Sequence, residues 1–307
     1  MPRSPFARPL TVVFAAVLVS SALAGCTGFS IDGGCTPAFG PGDASKAVSA
    51  SGDVGDSPAV EFPTPLIAEE TQRSVLVQGE GEPAAPGSTI LASYVNFDGS
   101  TGQAGAESTA LFSASDVANQ LGEALACVRV GSRIAVVGPA VDLFAGVSEE
   151  TTDTIVAVLD IEAIFLGKAN GVNQLPQDGM PTVVTAVNGE PGITSTYLPA
   201  AEEPRTATIK AGSGAPIADG QTVVFHARSW SWSSGTNNVS LGDIDSWAGG
   251  TPYLLAPSVD TMGDETLVDA LIGAKVGSQI LVVIPGADPA AASTVYVFDL
   301  LGIVADE

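Results

Sequence analysis

The stretch LACVRVGSRIAVVGP at residues 125–139 returns as LIGAKVGSQILVVIP at residues 271–285. The shared pattern is an apolar turn, one basic residue, Val-Gly-Ser, one polar residue, four apolar residues and a loop with Pro. Leu125 corresponds to Leu271, Arg129 to Lys275, and Val130-Gly131-Ser132 to Val276-Gly277-Ser278. One physical unit explains the order. A short helix ends near the basic residue, which suits the negative end of its dipole. The glycine supplies a permissive backbone for a tight turn. Residues 134–137 and 280–283 then read as buried strands. The flanking segments repeat too. Gly79-Glu-Gly81 and Gly212-Ser-Gly214 each follow a strand, residues 87–94 match residues 220–227, and residues 154–164 match residues 293–303 around a central Asp. A repeat of about 120 residues fits tandem domains and is too long for a solenoid.

The rest of the chain agrees with a strand-rich pair of domains. Its 307 residues are 45% hydrophobic and 15% charged, with 35 Gly and 21 Pro, which favours short strands joined by turns. The 34 acidic residues against 11 basic ones argue against a nucleic-acid partner, since phosphate binding needs clustered Lys and Arg. The expected organisation is a processing signal over 1–25, a flexible tether over 26–45, a first domain over 46–168, a linker over 169–181 and a second domain over 182–307. Short helices are expected from Ser115 or Asp116 to about Cys127 and from Thr266 to Ile272, with a long loop over 138–153.

The N-terminus carries Arg3 and Arg8, an apolar run over 10–24 that is short for a membrane span, and Leu23-Ala24-Gly25-Cys26. LAGC resembles the lipobox of bacterial lipoproteins. That resemblance implies acylation of Cys26 and a protein held outside the cell membrane by lipid. Cys35 and Cys127 are then left; outside the membrane an oxidised pair is expected, with two separate thiols as the alternative.

The ordered features of both copies resemble FKBP-type peptidyl-prolyl cis-trans isomerases. The residues carrying this are GSTILASY at 87–94, VANQLGEALACVRVGSRIAVVGP at 117–139 and TIVAVLDIEAI at 154–164, with GQTVVFHA at 220–227, ETLVDALIGAKVGSQILVVIP at 265–285 and YVFDLLGIV at 296–304. The resemblance implies an α+β protein of two tandem FKBP-like domains, each an antiparallel sheet wrapped around a short helix. It also implies a chemistry without cofactor, metal, acid or base. An X-Pro amide resists twisting by ~18–20 kcal/mol, and an apolar cleft that favours the twisted amide lowers that barrier. The implied partners are proline-containing polypeptides, met by a monomer.

By the same resemblance the catalytic positions are Tyr94, Leu121 and Phe144, with Phe112, Val117, Ala118 and Leu159 as substrate walls. In the second copy Leu267 and Phe298 are the pocket-like positions. The family's Phe-Asp-Ser-Ser segment is not found in either copy. The second copy also has Ala227 in place of the strand-end Tyr and a short loop after Pro285, so it reads as a degenerate binding module. The alternative for the whole chain is a non-catalytic peptide-binding or chaperone lipoprotein. Outside this frame, His226 reads as structural, Glu149, Glu150 and Asp153 as a solvated loop, and Asp243 with Asp245 as a surface turn. Trp230 and Trp232 share one strand face and either cover the core or form a hydrophobic patch.

Overall fold

A computed structural model describes residues 35–114, 120–148, 151–194, 201–233, 239–287 and 291–305. In chain order the first domain comprises α1 (Asp43–Lys46), β1 (Ser49–Ser51), β2 (Ala59–Glu61), β3 (Gln72–Val77), β4 (Thr89–Asp98), β5 (Ser108–Ser113), α2 (Gln120–Ala124), β6 (Arg133–Pro139), α3 (Ala140–Leu143) and β7 (Thr154–Phe165). Strands β3-β6-β7-β4-β5 form one antiparallel sheet in that order. Its α2 face buries Ile90, Leu121, Leu125, Ile134 and Leu159. Its other face buries Val95, Val137 and Val156 against Ala44, Val48 and Leu66 from the segment before β3.

The second domain follows with β8 (Val172–Asn173), β9 (Val183–Thr185), β10 (Pro191–Ile193), β11 (Arg205–Ala211), β12 (Val223–Trp232), β13 (Val239–Asp245), β14 (Tyr253–Leu255), α4 (Val259–Met262), α5 (Glu265–Leu271), β15 (Gln279–Ile284) and β16 (Ser293–Ile303). Its sheet runs β13-β12-β16-β15-β11-β8, with β14 also paired to β12. The α5 face buries Phe225, Leu267, Leu271 and Phe298. The opposite face buries Trp230, Trp232, Val283 and Val295, so the two tryptophans cover the core. The architecture is α+β: two main antiparallel sheets, each packed on a short helix, and two two-stranded ribbons, β1-β2 and β9-β10. Among the described residues no helix is long and apolar enough to cross a membrane.

Two segments differ from the sequence expectation. The described part of the tether, residues 35–45, is packed: Ala44 and Ser45 are buried, their N–H groups donate to Gln72 Oε1, and Cys35 is bonded to Cys127 with Cα atoms 5.7 Å apart. Glycine and proline there mark a folded turn around α1. The stretch 169–181 also joins the second domain. Val172–Asn173 pair with β11, and Met180 is buried against Trp230 and Trp232. The loop expected over 138–153 instead opens with the end of β6 and with α3.

Both domains close on one backbone device. Gly79 N donates to Ser132 Oγ at 3.0 Å, and Gly212 N donates to Ser278 Oγ at 3.0 Å. Gly131 and Gly277 take φ of +76° and +89°, which glycine adopts without cost. Their N–H groups donate to the closing strands at Ile161 O (2.8 Å) and Leu300 O (2.7 Å). The strand end is pressed so close to this turn that a Cβ on Gly79 would lie 2.1 Å from Val130 O, and one on Gly212 would lie 2.3 Å from Val276 O. Four residues before each turn glycine the chain needs a second left-handed residue: Gly273 has φ +82°, but its counterpart Cys127 has φ +68°. A cysteine tolerates that geometry less well than glycine.

Two expected outcomes follow from this geometry. Gly79→Ala and Gly212→Ala each destabilise the chain by roughly 2–4 kcal/mol in urea unfolding, whereas Gly40→Ala, whose Cβ would meet nothing within 4 Å, stays within about 0.5 kcal/mol of wild type. With the disulfide removed in both, Cys35→Ser/Cys127→Gly is more stable than Cys35→Ser/Cys127→Ser by about 1 kcal/mol, because glycine removes the left-handed strain.

Candidate functional site

On the α5 face of the second domain, alternate residues of three strands converge. β12 contributes Phe225 and Ala227, β14 Tyr253 and Leu255, and β16 Tyr296 and Phe298, each pair two residues apart and therefore on one face. Ile244 of β13 closes one side, and Thr261, Met262 and Leu267 of the α4–α5 segment close the top. They enclose a cavity of about 100 Å³. The rings support one another. Phe225 meets Phe298 at 5.8 Å and 68°, Phe225 meets Tyr253 at 5.6 Å, and Tyr296 lies at 12° to Phe298 with centroids 6.0 Å apart.

Local chemistry fixes the roof. Ser258 caps α4, accepting from Thr261 N, and Gly263 ends that helix in the left-handed region at φ +79°. Asp264 then caps α5 by accepting from Thr266 N at 2.7 Å. This turn-by-turn stop and restart aims Met262 and Leu267 at the strands. Among the described residues no carboxylate lines the cavity. Asp245, next to Ile244, pairs with Arg228 at 3.0 Å. Burial, aided by the charge of Asp264, pushes the Tyr296 phenol up, so it stays a neutral hydroxyl. The cleft can therefore hold an apolar ring and offer neutral hydroxyls to a peptide.

The corresponding face of the first domain is filled differently. Cross-strand register aligns Ala92 with Phe225, Tyr94 with Ala227, Ala110 with Tyr253, Phe112 with Leu255 and Leu159 with Phe298. At each position one copy is bulkier and the other smaller. Tyr94 and Phe112 pack edge to face at 5.5 Å, over a core that includes Leu121, Leu159 and Phe144. Five residues expected at the first-domain site, Tyr94, Phe112, Leu121, Phe144 and Leu159, thus come together as one cluster; Leu121 and Leu159 are fully buried within it. Val117, Ala118 and the lipidation position Cys26 lie outside the described residues, as do Glu149 and Glu150. Leu267 and Phe298 lie in the second-domain cavity.

Sequence reasoning missed Phe225, Ile244, Tyr253, Met262 and Tyr296. Comparison of Ala227 with Tyr94 alone suggested a lost pocket, but the aromatic volume has moved two residues along β12 and onto β14. The aromatic Tyr253 in the short apolar run Tyr253-Leu254-Leu255 was the available signal. His226, on the opposite face of β12, stacks on Trp247 at 4.0 Å, and its Nδ1 lies 2.8 Å from Ser246 Oγ. Asp243 and Asp245 form no carboxylate pair, since Asp245 is bound to Arg228. Among the described residues no group of three or more His, Cys, Asp or Glu could hold a metal ion.

No protein-family model matches the chain, and no curated protein matches it. Solved structures do. A structure of the three FKBP domains of wheat FKBP73 aligns with 77% of this chain and 95% of its own length at 14% identity and a TM-score of 0.30. A multi-domain immunophilin from Arabidopsis thaliana aligns with 39% of this chain and 50% of its own length at 10% identity and a TM-score of 0.29. The N-terminal domain of FKBP42 from Arabidopsis thaliana aligns with 37% of this chain and 98% of its own length at 11% identity and a TM-score of 0.27.

Burial pushes the His226 ring down from 6.5 to about 4, against the opposing charge of Asp245. The folded ring therefore holds its proton less tightly than the unfolded one. Between those two values the unfolded chain binds more protons, so stability rises with pH, is complete above 6.5, and is lost as pH falls towards 4. The expected contribution is on the order of 3 kcal/mol. Unfolding midpoints across this window should fall for wild type by more than for His226→Gln, and proton NMR of the chain's one histidine should titrate near 4.

Proposed function

We propose that the chain binds X-Pro segments of polypeptides and accelerates their cis-trans isomerisation, with the second-domain cleft as the prolyl pocket. The observation that carries this is the apolar, ring-lined cavity of about 100 Å³ between β12, β14, β16 and α5. A prolyl ring is apolar and rigid, and fits such a site at little entropic cost. Twisting the amide out of plane removes its resonance and lowers its polarity, so a site that excludes water favours the twisted form over the planar one. The hydroxyls of Tyr253 and Tyr296 can donate to substrate carbonyls that lose water on entry. The ordered resemblance of both copies to FKBP-type isomerases supports the same reading. Placing the pocket in the second domain departs from the first-domain site centred on Tyr94, because Tyr94 and Phe112 fill their face ring against ring. Lipid attachment at Cys26, outside the cell membrane, would make exported polypeptides the substrates. A second reading, prolyl binding without turnover, draws on the lack of the family's Phe-Asp-Ser-Ser segment in either copy.

A protease-coupled assay with prolyl peptides tests this on residues 27–307. Wild type accelerates isomerisation. Tyr253→Ala lowers kcat/KM about tenfold, equivalent to ~1.4 kcal/mol of transition-state stabilisation, while Tyr94→Ala leaves it unchanged. No acceleration by wild type rejects the isomerase and leaves the binding reading, which a direct peptide-binding measurement then decides. Loss in Tyr94→Ala with full activity in Tyr253→Ala returns the site to the first domain.

A further inference from the structure

A second cavity, of about 550 Å³, lies where the two domains meet. The first domain contributes Ser88 and Ser113, the connecting segment Lys168 and Asn170, and the second domain His226 and Trp247. The connecting backbone is held at both ends: Leu166 N donates to Leu301 O at 3.2 Å, and Ala169 N donates to Asp299 Oδ2 at 2.9 Å. The walls are therefore fixed parts of the junction.

Three observations point to a ligand. First, among the described residues no Asp or Glu lines this cavity, in a chain with 34 acidic residues and 11 basic ones. Second, Lys168 forms no ion pair among the described residues. Its Nζ donates only to Val187 O at 2.5 Å, which leaves two N–H donors and an uncompensated charge at the cavity rim. Third, Trp247 Nε1, on a wall of this cavity, is buried with no hydrogen-bond partner among the described residues. Buried polar nitrogens are rarely left unpaired, and His226 stacks on the same indole at 4.0 Å. Ser88 and Ser113 add hydroxyls from the facing domain. The set is rich in donors, carries one positive charge, and contains no competing carboxylate.

We propose that this junction cavity binds a small carboxylate-bearing molecule, with Lys168 paired to the carboxylate and the Trp247 indole N–H donating to the same ligand. An ammonium–carboxylate contact in a partly enclosed site is a charge-assisted hydrogen bond, roughly twice as strong as a neutral one. The volume lies within the range of small-molecule sites. Because its walls come from both domains, bound ligand would also hold the domains in one arrangement.

The test is a titration of the full-length chain at neutral pH with acetate, succinate and citrate, followed by the NMR signal of its one histidine ring. Inorganic phosphate and glucose serve as the comparison probes. The expected result is a saturable shift with at least one carboxylate, at a Kd of about 1 mM or tighter. Lys168→Met weakens that affinity at least about tenfold, while Lys168→Arg retains it. Lys168 is exposed, so both variants fold, and an unchanged melting temperature checks this. No shift with any carboxylate overturns the proposal. So does a shift retained in Lys168→Met, a response to phosphate without one to carboxylates, or a response to glucose alone.

Discussion

Each sheet depends on one close contact, where the strand end at Gly79 or Gly212 presses onto the Val-Gly-Ser turn. The turn glycine turns its N–H to the closing strand, the serine hydroxyl accepts from the strand-end glycine, and the absence of a Cβ on that glycine lets the two backbones meet. Three strands are thereby fixed at one point. The helix before the turn is placed by the same contact, because Ala84 and Ile217, just beyond the strand ends, exchange backbone hydrogen bonds with residues 127–128 and 273–274. Side-chain packing on either face can vary once this frame is set.

That division explains what the sequence disclosed. A Cβ on the strand-end glycine would meet backbone, and the serine hydroxyl accepts its N–H, so the motif stands in both copies and the fold is legible from it. The cleft obeys a weaker constraint. Tyr94 over Leu159 and Ala227 beside Phe298 fill similar space in opposite ways, since a core tolerates redistributed volume better than changed volume. A position-by-position comparison sees a lost tyrosine; only the cross-strand register of β12 with β14 shows that Phe225 and Tyr253 supply the missing rings. The segments 35–45 and 169–181 misled for another reason. Their Gly- and Pro-rich composition marks turns, and composition does not distinguish a packed turn from a free one.

Cysteine enters the same logic. At the end of the short helix, one copy has Gly273 and the other Cys127, both with positive φ. Glycine takes that conformation freely; a cysteine is held there in a structure that gains a covalent link to residue 35. The strain at Cys127 and the packing of α1 are thus parts of one exchange, in which local backbone preference yields to a long-range crosslink. Restraining a loop across a sequence separation of 92 limits the unfolded chain by roughly 4–5 kcal/mol in the chain-entropy account, more than the strain costs.

The central Asp of each closing strand shows how a repeated position acquires different chemistry for one purpose. Asp160 accepts from Gly55 N at 2.7 Å and pairs with Arg133, whose remaining donors bind the carbonyls of Gly52, Asp53 and Asp56. Asp299 accepts from Ala169 N and from the Gln279 amide at 2.8 Å. In both cases the carboxylate ties down the segment that enters its own domain. The first domain holds a loop by its carbonyls, and a guanidinium with several donors suits that task. The second holds one N–H, for which a neutral amide suffices, at the cost of a less well compensated charge: burial pushes the Asp299 carboxyl up, while Ala169, Gln279 and Lys210 pull the other way. Since Ala169 adjoins Lys168, this buried carboxylate also anchors the backbone beside the cation at the domain junction, and the anchor of the second domain becomes a support for the cavity between the two.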